Sequence, residues 1–196
     1  MKTKALLPGV LVLASLVGPL FMNNYWLHLL ISFGILAIVA LGFNVLMGYA
    51  GQVSLGHAGF YAIGAYGAAL LTERLGWSFW PSLVVAACLS GLLAYVVGLP
   101  TLRLRDYYLA IATLGFGVAI QVVAAQWSDL TGGAVGLALK TRPSLFGLEI
   151  DNNLLFFYLT LGFLLLSYFG VESLARSRPG RAMMALRVDE EAAASV

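Results

Sequence analysis

The strongest constraint in this sequence is an interval without formal charge: no Asp, Glu, Lys or Arg occurs from Ala5 to Thr72. Three further charge-free intervals follow, Leu75 to Leu102, Tyr107 to Ser128 and Asn152 to Val171. Each meets the roughly 20 residues that a membrane-crossing helix needs. All are too long for the short alternating segments of a membrane β-barrel. Charged residues make up 10% of the 196 residues and hydrophobic ones 61%, against about 25% charged in soluble domains. The expected class is an all-α, polytopic membrane protein embedded in membrane lipid.

The apolar pattern places about six transmembrane segments near residues 5–22, 26–47, 53–71, 79–99, 107–127 and 154–175. Lys2 and Lys4 before an apolar run imitate a secretory leader. No clean small-x-small cleavage site follows, so 5–22 reads as a first crossing. With the N-terminus inside, eight of the eleven Lys and Arg residues fall on the cytoplasmic side. Only Arg74, Lys140 and Arg142 fall outside, which predicts an N-in, C-in topology. Tyr25, Trp26, Trp77, Trp80, Tyr107, Tyr108 and Trp127 lie at span ends, where aromatic rings with a polar edge favour the interface.

The third segment stands apart. Gly56, Gly59, Gly64 and Gly67 accompany Gln52, Ser54 and His57, and Gly48 and Gly51 precede them. This composition predicts either close helix packing or an interrupted helix. The longest polar connection, Ser128 to Asn153, shows no clear helix or strand signal and contains Thr131-Gly132-Gly133. It reads as an outward-facing loop, either functional or passive. No internal repeat or linker divides the chain, so residues 1–196 form one domain.

Several chemistries fit poorly. A net charge of +2 without a basic cluster gives no nucleic-acid surface. The single Cys88 excludes a disulfide framework, and His28 and His57 have no neighbouring Asp, Glu or Cys in sequence to form a metal site. Ser54 and His57 are three residues apart, which raises an intramembrane serine-type hydrolase as an alternative. A nucleophilic serine also needs an oxyanion hole and an orienting group, and Ser54 has no Gly-x-Ser-x-Gly setting. Transport asks instead for a broken helix whose freed backbone groups line a cavity. Gln52, Ser54, Gly56 and His57, with Asn44 one turn before and Thr113 on a later span, are the candidate path-lining residues. Thr131, Gly132 and Gly133 are candidates for the outer mouth. An ATP-independent channel or carrier is a further alternative.

The stretches Leu41-Gly-Phe-Asn-Val-Leu-Met-Gly-Tyr-Ala-Gly-Gln-Val-Ser-Leu-Gly-His-Ala-Gly-Phe60, Leu102-Arg-Leu-Arg-Asp-Tyr-Tyr-Leu-Ala-Ile-Ala-Thr-Leu-Gly-Phe116 and Thr131-Gly-Gly-Ala-Val-Gly-Leu137 resemble branched-chain amino acid ABC transporter permeases of the LivM type. The segment from Arg181 to Val196 is similar to the cytoplasmic loop through which such permeases meet their ATPase. The resemblance implies an importer in a bacterial or archaeal inner membrane, for branched-chain or related small amino acids or amides. It also implies a second permease subunit, cytoplasmic ATPase subunits and a periplasmic substrate-binding protein. ATP would be used by the partner, since no Gly-x-x-x-x-Gly-Lys-Ser/Thr loop occurs here; no cofactor is expected in this chain. Arg181, Arg187, Asp189, Glu190, Glu191, Ala192 and Ala193 are the implied coupling residues, and Arg103 and Arg105 the cytoplasmic anchors. In the family's loop a glycine follows and more crossings come after it, so the chain is expected to be the N-terminal part of a longer permease.

Overall fold

The computed structural model describes residues 16–101, 104, 106–139, 143–145, 148–150 and 152–188. A short 3₁₀ turn, Gly18–Phe21, precedes helix α1, Asn24–Asn44, which continues into one π-helical turn, Val45–Tyr49. Helices α2 (His57–Glu73), α3 (Phe79–Thr101) and α4 (Asp106–Gln126) follow. The connection from α4 to the next long helix holds a one-turn helix, α5 (Ser128–Thr131), and a 3₁₀ turn, Gly133–Val135. Helix α6 spans Asn153–Arg176, and the shorter α7 spans Arg178–Val188.

The helices form because their segments are rich in Leu, Ile, Ala and Phe, and because a helix satisfies its own backbone where no water can. Among the described residues, four stretches are long and apolar enough to cross a membrane: Asn24–Tyr49, Phe79–Thr101, Tyr107–Gln126 and Asn153–Arg176. Large side chains in mid-helix are turned outward, such as Phe33 at 59% and Leu166 at 70% exposure. These helices are apolar nearly all round, the pattern of segments whose outer solvent is hydrocarbon. The segment expected at 53–71 becomes helical only at His57. At 17 residues, α2 is roughly 25 Å long. Of the segment expected at 5–22, residues 5–15 lie outside the described residues.

Two helix pairs organise the packing. In one, α1 lies against α6 around Leu27, Ile31 and Phe157, with Leu30, Ile35, Leu154 and Leu161 packed about them. Asn153 Nδ2 reaches Asn24 Oδ1 (3.3 Å) and His28 Nε2 (3.2 Å) at one end of this pair. Asn152 caps α6 by accepting from the Leu154 N–H at 3.1 Å. In the other pair, α2 lies against α3, where Ser90 Oγ donates to Phe60 O at 2.9 Å. Helix α4 also packs on α2, with the Phe60 and Phe116 rings 4.8 Å apart. Trp80 of α3 stacks on Phe163 of α6 and links the two pairs.

The connection between α4 and α6 is more structured than its sequence suggests. Beside α5, a two-residue hairpin pairs β1 (Ser144–Leu145) with β2 (Leu148–Glu149) in antiparallel register, so the class is all-α apart from this ribbon. Elements of two to four residues carry no readable periodicity, which is why a plain loop was expected. Gly132 (φ 79°) and Gly133 (φ 62°) both lie in the left-handed region and make the turn after α5 possible. Arg74 at the end of α2 donates to the carbonyls of Asp129 and Leu130, tying this loop to the α2–α3 turn.

Glycine positions provide a test with opposite signs. A Cβ on Gly34 would lie 2.8 Å from Thr160 Cγ2, a methyl held because Thr160 Oγ1 donates to Phe156 O; a Cβ on Gly64 would meet open space. Gly34→Ala is expected to destabilise the α1–α6 pair by about 1–3 kcal/mol. Gly64→Ala is expected to be neutral or stabilising by up to about 1 kcal/mol through helix propensity. Circular dichroism melts of both variants in detergent check the contrast.

Candidate functional site

The site is a break between two helices. After the π turn, Gly51 adopts φ 71°, the left-handed conformation that ends many helices. Helical structure resumes only at His57. The intervening backbone is tied down rather than left free. The Gln52 N–H donates to Leu46 O (3.1 Å), and the Leu55 N–H donates to Thr113 Oγ1 of α4 (3.0 Å). The Thr113 hydroxyl is itself shared between Leu109 O (2.9 Å) and Ala110 O (3.0 Å). A Cβ on Gly56 would fall 2.8 Å from Thr113 O, and one on Gly59 3.3 Å from Gly117 Cα. The glycines of this segment therefore serve both expected purposes: Gly51 turns the chain, and Gly56 and Gly59 let α2 touch α4.

The break opens a cavity of about 400 Å³ between itself, α2, α3 and α4. Gln52, Ser54, His57 and Thr113, four of the residues expected to line a path, share its wall. Gly56 is buried beside them against Thr113. The remaining wall is largely apolar, with Leu46, Phe60, Leu109 and Phe116 among it. A volume of this size suits a small molecule. His57 sets its ring edge-on to Phe43 at 5.1 Å, and its Nδ1 is a buried atom without a hydrogen-bond partner. That nitrogen engages neither a serine nor an orienting carboxylate, unlike the pairing that activates a nucleophile.

Other expected residues lie elsewhere. Asn44 faces a separate hollow between α1 and α6, lined also by Leu41, Leu165 and Tyr168. Thr131 is buried in the connection after α4, where its hydroxyl proton is shared between Ala124 O (2.6 Å) and Trp127 O (2.8 Å) and its oxygen accepts from the Gly133 N–H (3.2 Å). Gly133 borders a second cavity, about 570 Å³, together with Tyr66 and Gln121. Its walls come from the opposite sides of α2 and α4, across the seam where Gly59 meets Gly117. Arg181 and Arg187 lie on α7, while Asp189 to Ala193, Arg103 and Arg105 lie outside the described residues. Sequence reading missed Ser90, Gly91 and Gly98, which line the first cavity from α3, and Tyr66 and Gln121, which line the second. Gln121, a polar side chain inside an apolar span, was the available signal.

The family described as "Branched-chain amino acid transport system / permease component" matches residues 25–196, which include every residue of the break and both cavities. The chain belongs to this family. It is similar to the high-affinity branched-chain amino acid transport system permease protein LivM of Escherichia coli strain K12 and to that of Salmonella typhimurium strain LT2. Each is 36% identical over 218 aligned positions, which cover 100% of this chain and 51% of the relative. The chain thus spans about half the length of these relatives. No solved structure matches. Family membership identifies a permease component and a multi-pass membrane protein. The break and its cavity lie within the segment that matches this family.

Thr113 is the residue on which this geometry turns. Thr113→Val keeps the shape but removes the acceptor of a part-buried N–H, and is expected to destabilise the fold by about 1–3 kcal/mol. Thr113→Ser, which keeps the hydroxyl, should retain most of that stability. Thermal unfolding of the two variants in the same detergent separates loss of the hydroxyl from loss of the methyl.

Proposed function

We propose that this chain forms part of the substrate path of an ABC importer for branched-chain amino acids or related small amino acids or amides. The observation that carries this reading is the cavity at the helix break, walled by Gln52, Ser54, His57 and Thr113 in a member of a permease family. Uncharged polar groups on an apolar wall bind a small molecule through hydrogen bonds and apolar contact, without a fixed charge to trap it. In this reading the chain sits in the inner membrane of a bacterium or archaeon with both ends inside. Its partners are a second permease subunit, two cytoplasmic ATPases and a periplasmic binding protein. Asn44 and the Thr131–Gly133 turn border the route rather than the central cavity. In this reading Arg181, Arg187 and Asp189–Ala193 belong to the part of the chain that couples to the ATPase. Alternating access follows if ATP binding changes the ATPase's grip on α7, since a ligand shifts an equilibrium only through unequal binding to its two states.

Reconstitution with the partner subunits in proteoliposomes tests the proposal. Uptake of labelled leucine, isoleucine or valine is expected only with internal ATP and external binding protein. Uptake that ignores ATP would establish a carrier or channel instead. Ser54→Ala removes at most one hydrogen bond and should lower uptake by no more than about tenfold. A serine hydrolase would lose about 10⁴-fold or more in activity with the same change.

A further inference from the structure

The last turns of a helix leave carbonyls without intrahelical donors, and they carry the negative end of the helix dipole. In this chain the π turn after α1 ends at Tyr49, and the Gln52 N–H bonds back to Leu46 O rather than to Gly48 O. The Gly48 carbonyl receives its donor from far away in sequence: Arg187 Nη1 of α7 donates to it at 2.5 Å. The approach continues one step along the chain. A Cβ on Gly51 would lie 2.8 Å from Arg187 Cγ, 3.3 Å from its Cβ and 3.5 Å from its Cα. The start of the break is thus held between its own helix and the backbone of α7. Other arginines near α7 are engaged differently: Arg181 donates to Arg176 O, and Arg176 pairs with Glu172 of α6.

We infer that Arg187 is a positioning residue that caps the α1 end through the Gly48 carbonyl and so fixes the geometry of the break lining the cavity. It touches no cavity atom itself; it acts through Gly48 and Gly51, with Gln52 as the next residue along the chain. A displacement of α7 pulls directly on this carbonyl, and the next residues along the chain are those of the break that carries Gln52 and Ser54. Arginine suits the task because it is always charged and directs several N–H groups at once. Glycine at 51 is required both by its left-handed φ and by the close passage of α7. The consequence for transport rests on the function proposed above; the contact itself does not.

The test reads the break without requiring transport. In the full chain with Cys88→Ser, the native thiol is removed, and Ser54→Cys places a single thiol on the buried cavity wall. The protein is held in nanodiscs and labelled with a water-soluble maleimide. Arg187→Ala is expected to raise the labelling rate about tenfold, the scale of losing one hydrogen bond from a charged donor. Arg187→Lys should restore part of the protection, and Arg176→Ala, which removes the same charge from a residue paired with Glu172, should leave the rate unchanged. Gly51→Ala attacks the same contact from the other side and should raise the rate as well. It decides the matter if Arg187→Ala fails to elute as a monodisperse species. A parental rate in Arg187→Ala or in Gly51→Ala, or an equal rise in Arg176→Ala, overturns the inference. Loss of amino acid uptake with this labelling pattern intact would count against the transport reading alone.

Discussion

Backbone amides and carbonyls without water must find partners inside the protein, and the structure around residues 46–59 is organised by that requirement. An uninterrupted helix meets it within itself, whereas a break exposes several groups at once. Here each described hydrogen bond of the break comes from a different source. Leu46 O answers the Gln52 N–H, Thr113 Oγ1 answers the Leu55 N–H, Gly56 O answers the Gly59 N–H, and Arg187 answers Gly48 O. Loss of one partner would leave a group uncompensated, at about 1–3 kcal/mol when it is buried. The break is therefore a fixed piece of architecture. Its partners bring α4 and α7 to the same point.

The packing of α2 follows from this. Thr113 is within reach of Leu55 because Gly56 and Gly59 bring α2 onto α4 at backbone distance, and Ser90 anchors the other flank to Phe60 O. With α2 held on both sides, residues on one side of the α2–α4 seam wall one cavity and those on the other side wall the second. The α1–α6 pair is built by ordinary apolar interlock at Leu27, Ile31 and Phe157. It meets the α2–α3 pair chiefly through larger side chains such as Trp80 and Phe163. The polar constraint and the apolar core thus occupy different helix pairs.

Much of this was legible in the sequence. Charge-free intervals located the long helices, because length and apolarity alone decide whether a helix suits hydrocarbon. The glycines and uncharged polar residues from Gly48 to Gly67 announced a break, and Gln52, Ser54, His57 and Thr113 do meet at one cavity. Asn44 lines a separate hollow on the α1–α6 side, because helical spacing places it one turn before the break but does not give the direction it faces. Ser90 and Gln121 were not singled out because one polar residue in an apolar span reads as helix glue unless the facing helix is known. The Arg187–Gly48 contact joins residues 139 positions apart, and no local pattern reports such a pairing.

The chemistry of the cavity follows from which groups are already committed. The hydroxyls of Ser90 and Thr113 are held by backbone carbonyls and Nδ1 of His57 is buried, which leaves Gln52 and Ser54 as the uncommitted polar side chains of the wall. None of the cavity's described walls carries an Asp, Glu, Lys or Arg. The break sets the carbonyl end of α1 and the amide end of α2 within a few residues of each other. Helix ends carry roughly half an elementary charge of opposite sign. In this structure both ends are committed, the α1 end to Arg187 through Gly48 O and the start of α2 through the Leu55 and Gly59 amides, so the cavity wall offers hydrogen-bonding side chains on an apolar surface rather than charge. Under the proposed function, an aliphatic side chain of the cargo would find Leu46, Phe60, Leu109 and Phe116 on that wall.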